Sequence, residues 1–274
     1  MAEKTTLIIG STGKTGRRVE ARLRERGLPV RAGSRSATPP FDWADPATWE
    51  PALRGAGAAY VTYYPDLAAP GASDAIRALA ALAVDSGVRR LVLLSGRGEP
   101  EAAAAERVIQ ESGAEWTIVR ASWFFQNFDE GHLLEPVLGG TIALPAGDVA
   151  EPFVDAEDIA DVAAAALTGD GHAGQVYEVT GPRLLTFAEA AAEISRAAGR
   201  EVRYVPVSAD GYASMLMEYG VPEMEAEVLA GMFAEILDGR NAHLADGVRR
   251  ALGREPRDFA GYVSAVAATG VWKG

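Results

Sequence analysis

A doubly wound α/β fold on a parallel sheet, with a smaller and mostly helical C-terminal region, is predicted by three observations. Short apolar runs alternate with helix-length segments through the first 120 residues, the order that βαβ units impose. These runs are rich in Val, Ile, Leu and aromatics without polar alternation, as in strands covered on both faces. Beyond residue 120 the alternation loosens and helical periodicity takes over.

The strand runs are residues 5–9, 30–33, 58–62, 90–94 and 116–119. Helices with readable ends lie between them. Residues 14–26 stop at Gly27 and Pro29. A longer helix opens at Ser73 or Asp74, sets Ile76, Leu79, Ala80 and Ala83 on one stripe and stops at Gly87; a third spans residues 100–112 and ends at Gly113. Phe41-Asp42-Trp43 is expected to add an edge strand, with a weak helix over residues 47–53 behind it. Further on, a helix over residues 158–167 follows Asp155, and one over residues 187–198 follows Thr186, with Glu189 closing a capping box and Gly199 ending it. Three amphipathic helices beyond Pro206, residues 212–219, 223–237 and 258–268, are expected to form a cap over the carboxyl edge of the sheet. The domain organisation expected is a main domain of residues 1–150, whose sheet also receives residues 151–182, and a helical cap region of residues 183–274.

Composition narrows the function. The formal charge of −12, from 38 acidic against 26 basic residues, disfavours nucleic acid and anionic lipid surfaces as partners. With no cysteine, thiolate nucleophiles, disulfides and zinc-thiolate sites are excluded. The amino end lacks a signal-peptide core and no apolar run reaches membrane-spanning length, so a soluble, cytoplasmic protein is expected. His132, His172 and His243 are far apart and show no metal-ligand spacing, so no metal is expected. Ser95 follows Leu93-Leu94 rather than a nucleophile-elbow glycine, which argues against a hydrolase. Asp155 and Asp158, at a helix start, read as capping carboxylates rather than a catalytic pair.

One motif carries chemistry. Gly10-Ser11-Thr12-Gly13-Lys14-Thr15-Gly16 follows the first strand and opens the first helix. Gly10 permits the turn, Gly13 lets backbone amides close on a pyrophosphate, and Gly16 allows close helix packing, while the helix amino end adds partial positive charge. A Rossmann-type dinucleotide site is therefore expected. The second strand ends Ala32-Gly33-Ser34-Arg35-Ser36, without the carboxylate that would bind a ribose diol. Arg35, beside Ser34, suits a 2′-phosphate, so NADP(H) is expected over NAD(H).

Together these residues resemble the NmrA-like family of atypical short-chain dehydrogenase/reductases. The resemblance rests on the glycine loop, Asp42-Trp43-Ala44-Asp45-Pro46, the segment from Gly113 to Arg120 with Phe125-Gln126-Asn127, Phe153-Val154-Asp155-Ala156-Glu157-Asp158, Tyr177-Glu178-Val179-Thr180-Gly181-Pro182 and Gly253-Arg254-Glu255-Pro256. It implies strand order 3-2-1-4-5-6, an extended NADP, and a substrate cleft beside the C-terminal part. By position, Asp42 and Trp43 would lie near the adenine, and Tyr63, Tyr64, Pro65 and Ser95 near the nicotinamide. Trp123, Phe124, Phe125 and Asn127 would border the substrate. The resemblance implies NADPH-dependent reduction of a small quinone-like or aromatic acceptor, and a monomer or homodimer is expected.

One departure is decisive for mechanism. Reductases of the wider superfamily place Tyr-x-x-x-Lys on the helix after this strand, where Lys lowers the phenol pKa. Here the helix reads Glu99-Pro100-Glu101-Ala102-Ala103-Ala104-Ala105-Glu106-Arg107-Val108, with neither residue. Ser95, as a carbonyl partner, and Tyr63 or Tyr64, as hydrogen-bond donors, are the catalytic candidates that remain; a strand-end cap and cleft walls are their plainer readings. The same absence also fits a non-catalytic NADP sensor that regulates a partner protein, or a tailoring enzyme of secondary metabolism.

Overall fold

The computed structural model describes residues 4–273. Strands and helices alternate first as β1 (Thr5–Ile9), α1 (Gly16–Glu25), β2 (Val30–Gly33), α2 (Trp49–Leu53), β3 (Ala56–Val61), α3 (Ala72–Asp85), β4 (Arg90–Gly96), α4 (Pro100–Gln110) and β5 (Glu115–Ala121). There follow α5 (Leu134–Leu138), β6 (Thr141–Leu144), β7 (Ala150–Glu151), α6 (Ala156–Thr168), β8 (Gln175–Val179), β9 (Leu185–Thr186), α7 (Phe187–Ala198) and β10 (Arg203–Pro206). The chain closes with α8 (Ala209–Glu218), α9 (Glu223–Ile236), α10 (Gly247–Leu252) and α11 (Phe259–Thr269).

Two compact units interleave along the chain. One takes residues up to Ala121, then Ala156–Val179 and Asp246–Glu255; the other takes Ser122–Asp155, Thr180–Ala245 and the residues from Pro256. The first unit holds a six-stranded parallel sheet in the order β2-β1-β3-β4-β5-β8. It is a Rossmann-type arrangement, with β1 second from one edge and the strand order reversing direction between β1 and β3. Leu7, Ile9, Val61, Leu91, Leu93 and Ile118 are all buried, which is why these strands read as continuous apolar runs.

The edge strand expected at Phe41-Asp42-Trp43 is absent from the sheet. Asp42 bridges only Asp45, and the segment folds into a loop held by side chains. Trp49 Nε1 donates to the Asp42 carbonyl at 2.7 Å and Trp43 Nε1 to the Thr62 carbonyl at 3.0 Å. Two indoles thus take up carbonyls and pack with Phe41, and the outermost strand of the implied 3-2-1-4-5-6 order is missing. The helix expected over residues 47–53 divides into a 3-10 turn, Pro46–Thr48, capped by Asp45, and α2.

The second unit pairs β6 with β10 in parallel and β7 with β9 antiparallel. Its core gathers Phe128, Phe153, Phe187, Phe259 and Trp272, all at most 1% exposed. α7 carries the capping box read from the sequence: Thr186 Oγ1 accepts from Glu189 N, and Glu189 Oε2 accepts from Thr186 N. α8 and α9 pack through Ala213, Ala226 and Ala230, small residues that let two short helices approach closely.

Candidate functional site

β1 delivers the chain into the glycine loop. Gly10 has φ +77°, and a Cβ there would meet Thr62 Oγ1 at 2.0 Å, the hydroxyl that donates to the Ile9 carbonyl. Gly13 N donates to the Gly10 carbonyl at 2.9 Å, closing the turn. A Cβ at Gly16 would come within 2.1 Å of the same carbonyl oxygen, so α1 can begin here only with glycine. The glycines at 10 and 16 hold the turn together, whereas Gly13 is exposed and a Cβ on it would meet only the Gly10 carbonyl, at 3.2 Å.

The electrostatics suit an anion. Thr15 stands at the N-cap of α1 without a side-chain capping bond, and the first turn carries no acidic residue. The helix start therefore presents amides and partial positive charge that no carboxylate of its own satisfies. Ser11 and Thr15 are buried and Thr12 is exposed, while the Lys14 carbonyl accepts from Arg18 Nη1. These residues fit a dinucleotide pyrophosphate.

β2 ends on the same side of the sheet. Ser34 and Ser36 hydroxyls lie 3.2 Å apart. Arg35 between them is exposed and makes no hydrogen bond or ion pair among the described residues. Its guanidinium is therefore available to an incoming phosphate. Beyond β3, Tyr63 packs against Trp43 with ring centroids 4.8 Å apart, whereas Tyr64 is 73% exposed. Asp42, half-buried, closes its own turn, its Oδ1 accepting from Ala44 N at 3.0 Å.

The carboxyl ends of β4, β5 and β8 carry a charged network that sequence reasoning missed. Ser95 donates its hydroxyl hydrogen to Glu106 Oε1 at 2.6 Å, and Arg120 Nε donates to the same oxygen at 2.9 Å. Arg120 Nη1 reaches Glu178 Oε1 at 2.6 Å, and Arg97 Nε lies 3.4 Å from Glu178 Oε2. Hydrogen bonding to Glu106 lifts the Arg120 guanidinium still further above its ordinary range. Burial would push the Glu178 carboxyl up, but bonding to Arg120 and the charge of Arg97 outweigh it and hold the carboxyl below its usual range. Ser95 is thus buried with its hydrogen committed to Glu106.

In the second unit, Trp123 is half-buried against Phe187, Phe233 and His132. Phe124 bridges Val154, and the Asn127 amide donates to the Phe124 carbonyl. Phe125, expected to border a substrate, is 1% exposed and packs on Phe259 and Tyr262; it belongs to the core. Asp158, read as a capping carboxylate, is fully buried in the first unit and accepts from Arg254 Nη2 at 2.7 Å. The Gly253-Arg254-Glu255-Pro256 segment therefore anchors α10 to α6 through an ion pair. Among the described residues no group of three or more His, Cys, Asp or Glu is placed to hold a metal, and no helix is long and apolar enough to cross a membrane.

Comparison with known proteins gives the family of the chain. A model of NAD(P)H-binding proteins matches residues 10–170, and a model of the NmrA-like family matches residues 101–263. An NAD(P)H azoreductase of Xenophilus azovorans is 33% identical over 96% of this chain and 98% of its own length. The structure of an NADPH-dependent quinone oxidoreductase from Escherichia coli, complexed with NADPH, superposes with a TM-score of 0.76 at 21% identity, covering 96% of this chain and 99% of that one. NmrA, a negative transcriptional regulator in complex with NAD, superposes with a TM-score of 0.73 at 16% identity over the whole of both chains. The chain belongs to the NmrA-like family and is an NAD(P)H-dependent oxidoreductase.

Proposed function

We propose that this oxidoreductase prefers NADPH and reduces a small quinone-like or other aromatic acceptor, as a cytoplasmic monomer or homodimer. Arg35 carries the reading: an exposed guanidinium without a partner stands where a diol-binding carboxylate would sit. In this reading Gly10, Ser11, Thr12, Gly13, Lys14, Thr15 and Gly16 hold the pyrophosphate, and Ser34 with Arg35 takes the 2′-phosphate. Trp43 and Tyr63 wall the dinucleotide, and Tyr64 meets the acceptor. When bound, the dihydronicotinamide supplies hydride. An acceptor such as a quinone or an azo group fits a protein without Tyr-x-x-x-Lys, because its reduced anion needs only one further proton. The azoreductase and quinone oxidoreductase likenesses support this substrate class.

Exchanging Arg35 for Glu is the test. Loss of a charge-assisted phosphate contact is expected to weaken NADPH binding about 10- to 100-fold while sparing NADH, with matching loss of quinone reduction. Equal loss for both dinucleotides would remove the 2′-phosphate assignment. A sensor remains the second reading, favoured by the committed hydroxyl of Ser95. Tight dinucleotide binding with no turnover across quinones and azo dyes would select it.

A further inference from the structure

Glu99 stands at the head of α4, just past the carboxyl end of β4. The side chains that ordinarily cap helix amides from this position are the shorter Ser, Thr, Asp and Asn. Here the side chain makes no capping bond, and it takes part in no hydrogen bond or ion pair among the described residues. Instead the carboxyl folds back over Gly96. A Cβ built on Gly96 would lie 2.5 Å from Glu99 Cδ and 2.5 Å from each carboxyl oxygen, so the strand end makes room for this group only because residue 96 is glycine.

Its charged surroundings are one-sided. Asp66, from the loop after β3, and Glu101 and Glu106, on its own helix, all bear on it as carboxylates. The nearby cations are engaged elsewhere, Arg120 with Glu106 and Glu178, and Arg97 with Glu178. Burial first, and then these like charges, push the Glu99 carboxyl up to about 7. A half-buried acid is thus poised near neutrality over Gly96 at the end of β4, at the head of the helix where the superfamily's Tyr and Lys are missing.

We propose that Glu99 is the proton donor that accompanies hydride transfer. The assignment rests on the oxidoreductase reading above, with the reacting end of the dinucleotide at the carboxyl ends of β3 and β4. A quinone that accepts a hydride, two electrons and one proton, becomes a hydroquinone monoanion. The Glu99 O–H bond then breaks, the proton bonds to the anionic oxygen, and neutral hydroquinone leaves. Water returns a proton to the carboxylate, so each turnover consumes one NADPH, one quinone and one proton.

The test combines kinetics with a direct titration. E99Q is expected to lower turnover of a water-soluble benzoquinone about 100-fold at pH 7, the lower range of general-acid contributions, with NADPH affinity unchanged by fluorescence titration. Wild-type turnover should fall as pH rises through about 7, and that dependence should be lost in E99Q. Infrared titration of the dinucleotide-free protein should show a protonated carboxyl band fading with a midpoint near 7 in the wild type and missing from E99Q. This second readout needs no activity, and its wild-type arm needs no variant. E99Q turnover at the wild-type rate and pH profile, or no carboxyl titrating near 7, would overturn the assignment while leaving the oxidoreductase reading intact. Wild-type protein that binds no NADPH or reduces no acceptor would overturn that reading and the Glu99 assignment with it.

Discussion

Arg120 of β5 grips Glu106 of α4 with two nitrogens, Nε on Oε1 and Nη2 on Oε2, and reaches Glu178 of β8 with its third. One guanidinium thereby joins a helix and two neighbouring strands of the sheet. Glu106 is 3% exposed, so its charge is tolerable only with this partner. The fork geometry matters as well, because lysine would supply one point charge where two carboxylates need planar, paired donors.

Replacing Arg120 with Met is therefore expected to cost about 3–5 kcal/mol, the range for leaving one member of a buried pair uncompensated. Adding Glu106→Gln should restore most of that loss, since Glu106 then carries no charge and Glu178 keeps Arg97 as its partner. Urea unfolding of the single and double variants measures both. A single variant within about 1 kcal/mol of wild type would show that water, not Arg120, satisfies Glu106.

The glycine loop separates folding from binding. At Gly16 a methyl group would sit 2.1 Å from the Gly10 carbonyl oxygen, and backbone cannot swing aside as a side chain can. Gly16→Ala is expected to lower stability by about 1–3 kcal/mol, as overpacking does, and to weaken dinucleotide binding through the distorted turn. Gly13→Ala meets one atom at 3.2 Å and is exposed, so its melting temperature should stay close to wild type while NADPH affinity falls. Calorimetry of melting and of binding on the same two proteins distinguishes them.

Local features were legible in the sequence because their causes are local. The glycine loop, the strand runs of the first unit and the Thr186–Glu189 capping box each depend on residues within a few positions. The β6 and β10 strands were not legible, since each has four residues and its partner lies some 60 positions away, Ile142 against Tyr204. The strand expected at residues 41–43 failed for a related reason. Its aromatics look like strand formers, but Trp43 and Trp49 spend their indole N–H groups on carbonyls of the loop and of the β3 end. The role proposed for Arg35 rests on a local sign, the carboxylate missing beside it. Glu106, Arg120 and Glu178 carry no such sign, because the ion pairs that give them meaning span 14 and 58 positions.

The Glu99 carboxyl also makes a prediction about stability that is independent of catalysis. Its folded pKa of about 7 lies above the ordinary value of 4.5, so the folded state holds the proton more tightly than the unfolded chain does. The associated stabilisation is complete below about pH 4.5 and is lost as pH rises through 7, where a charge must be carried among Asp66, Glu101 and Glu106. Gln mimics the protonated acid and cannot ionise. E99Q and wild type should therefore melt alike near pH 4, and above pH 8 E99Q should be the more stable by about 2 kcal/mol, discounted from the full linkage value for partial solvent screening. Thermal melts from pH 4 to 9 read the divergence directly. Parallel curves across that range would place the Glu99 carboxyl in ordinary solvent, with no pressure from its acidic neighbours.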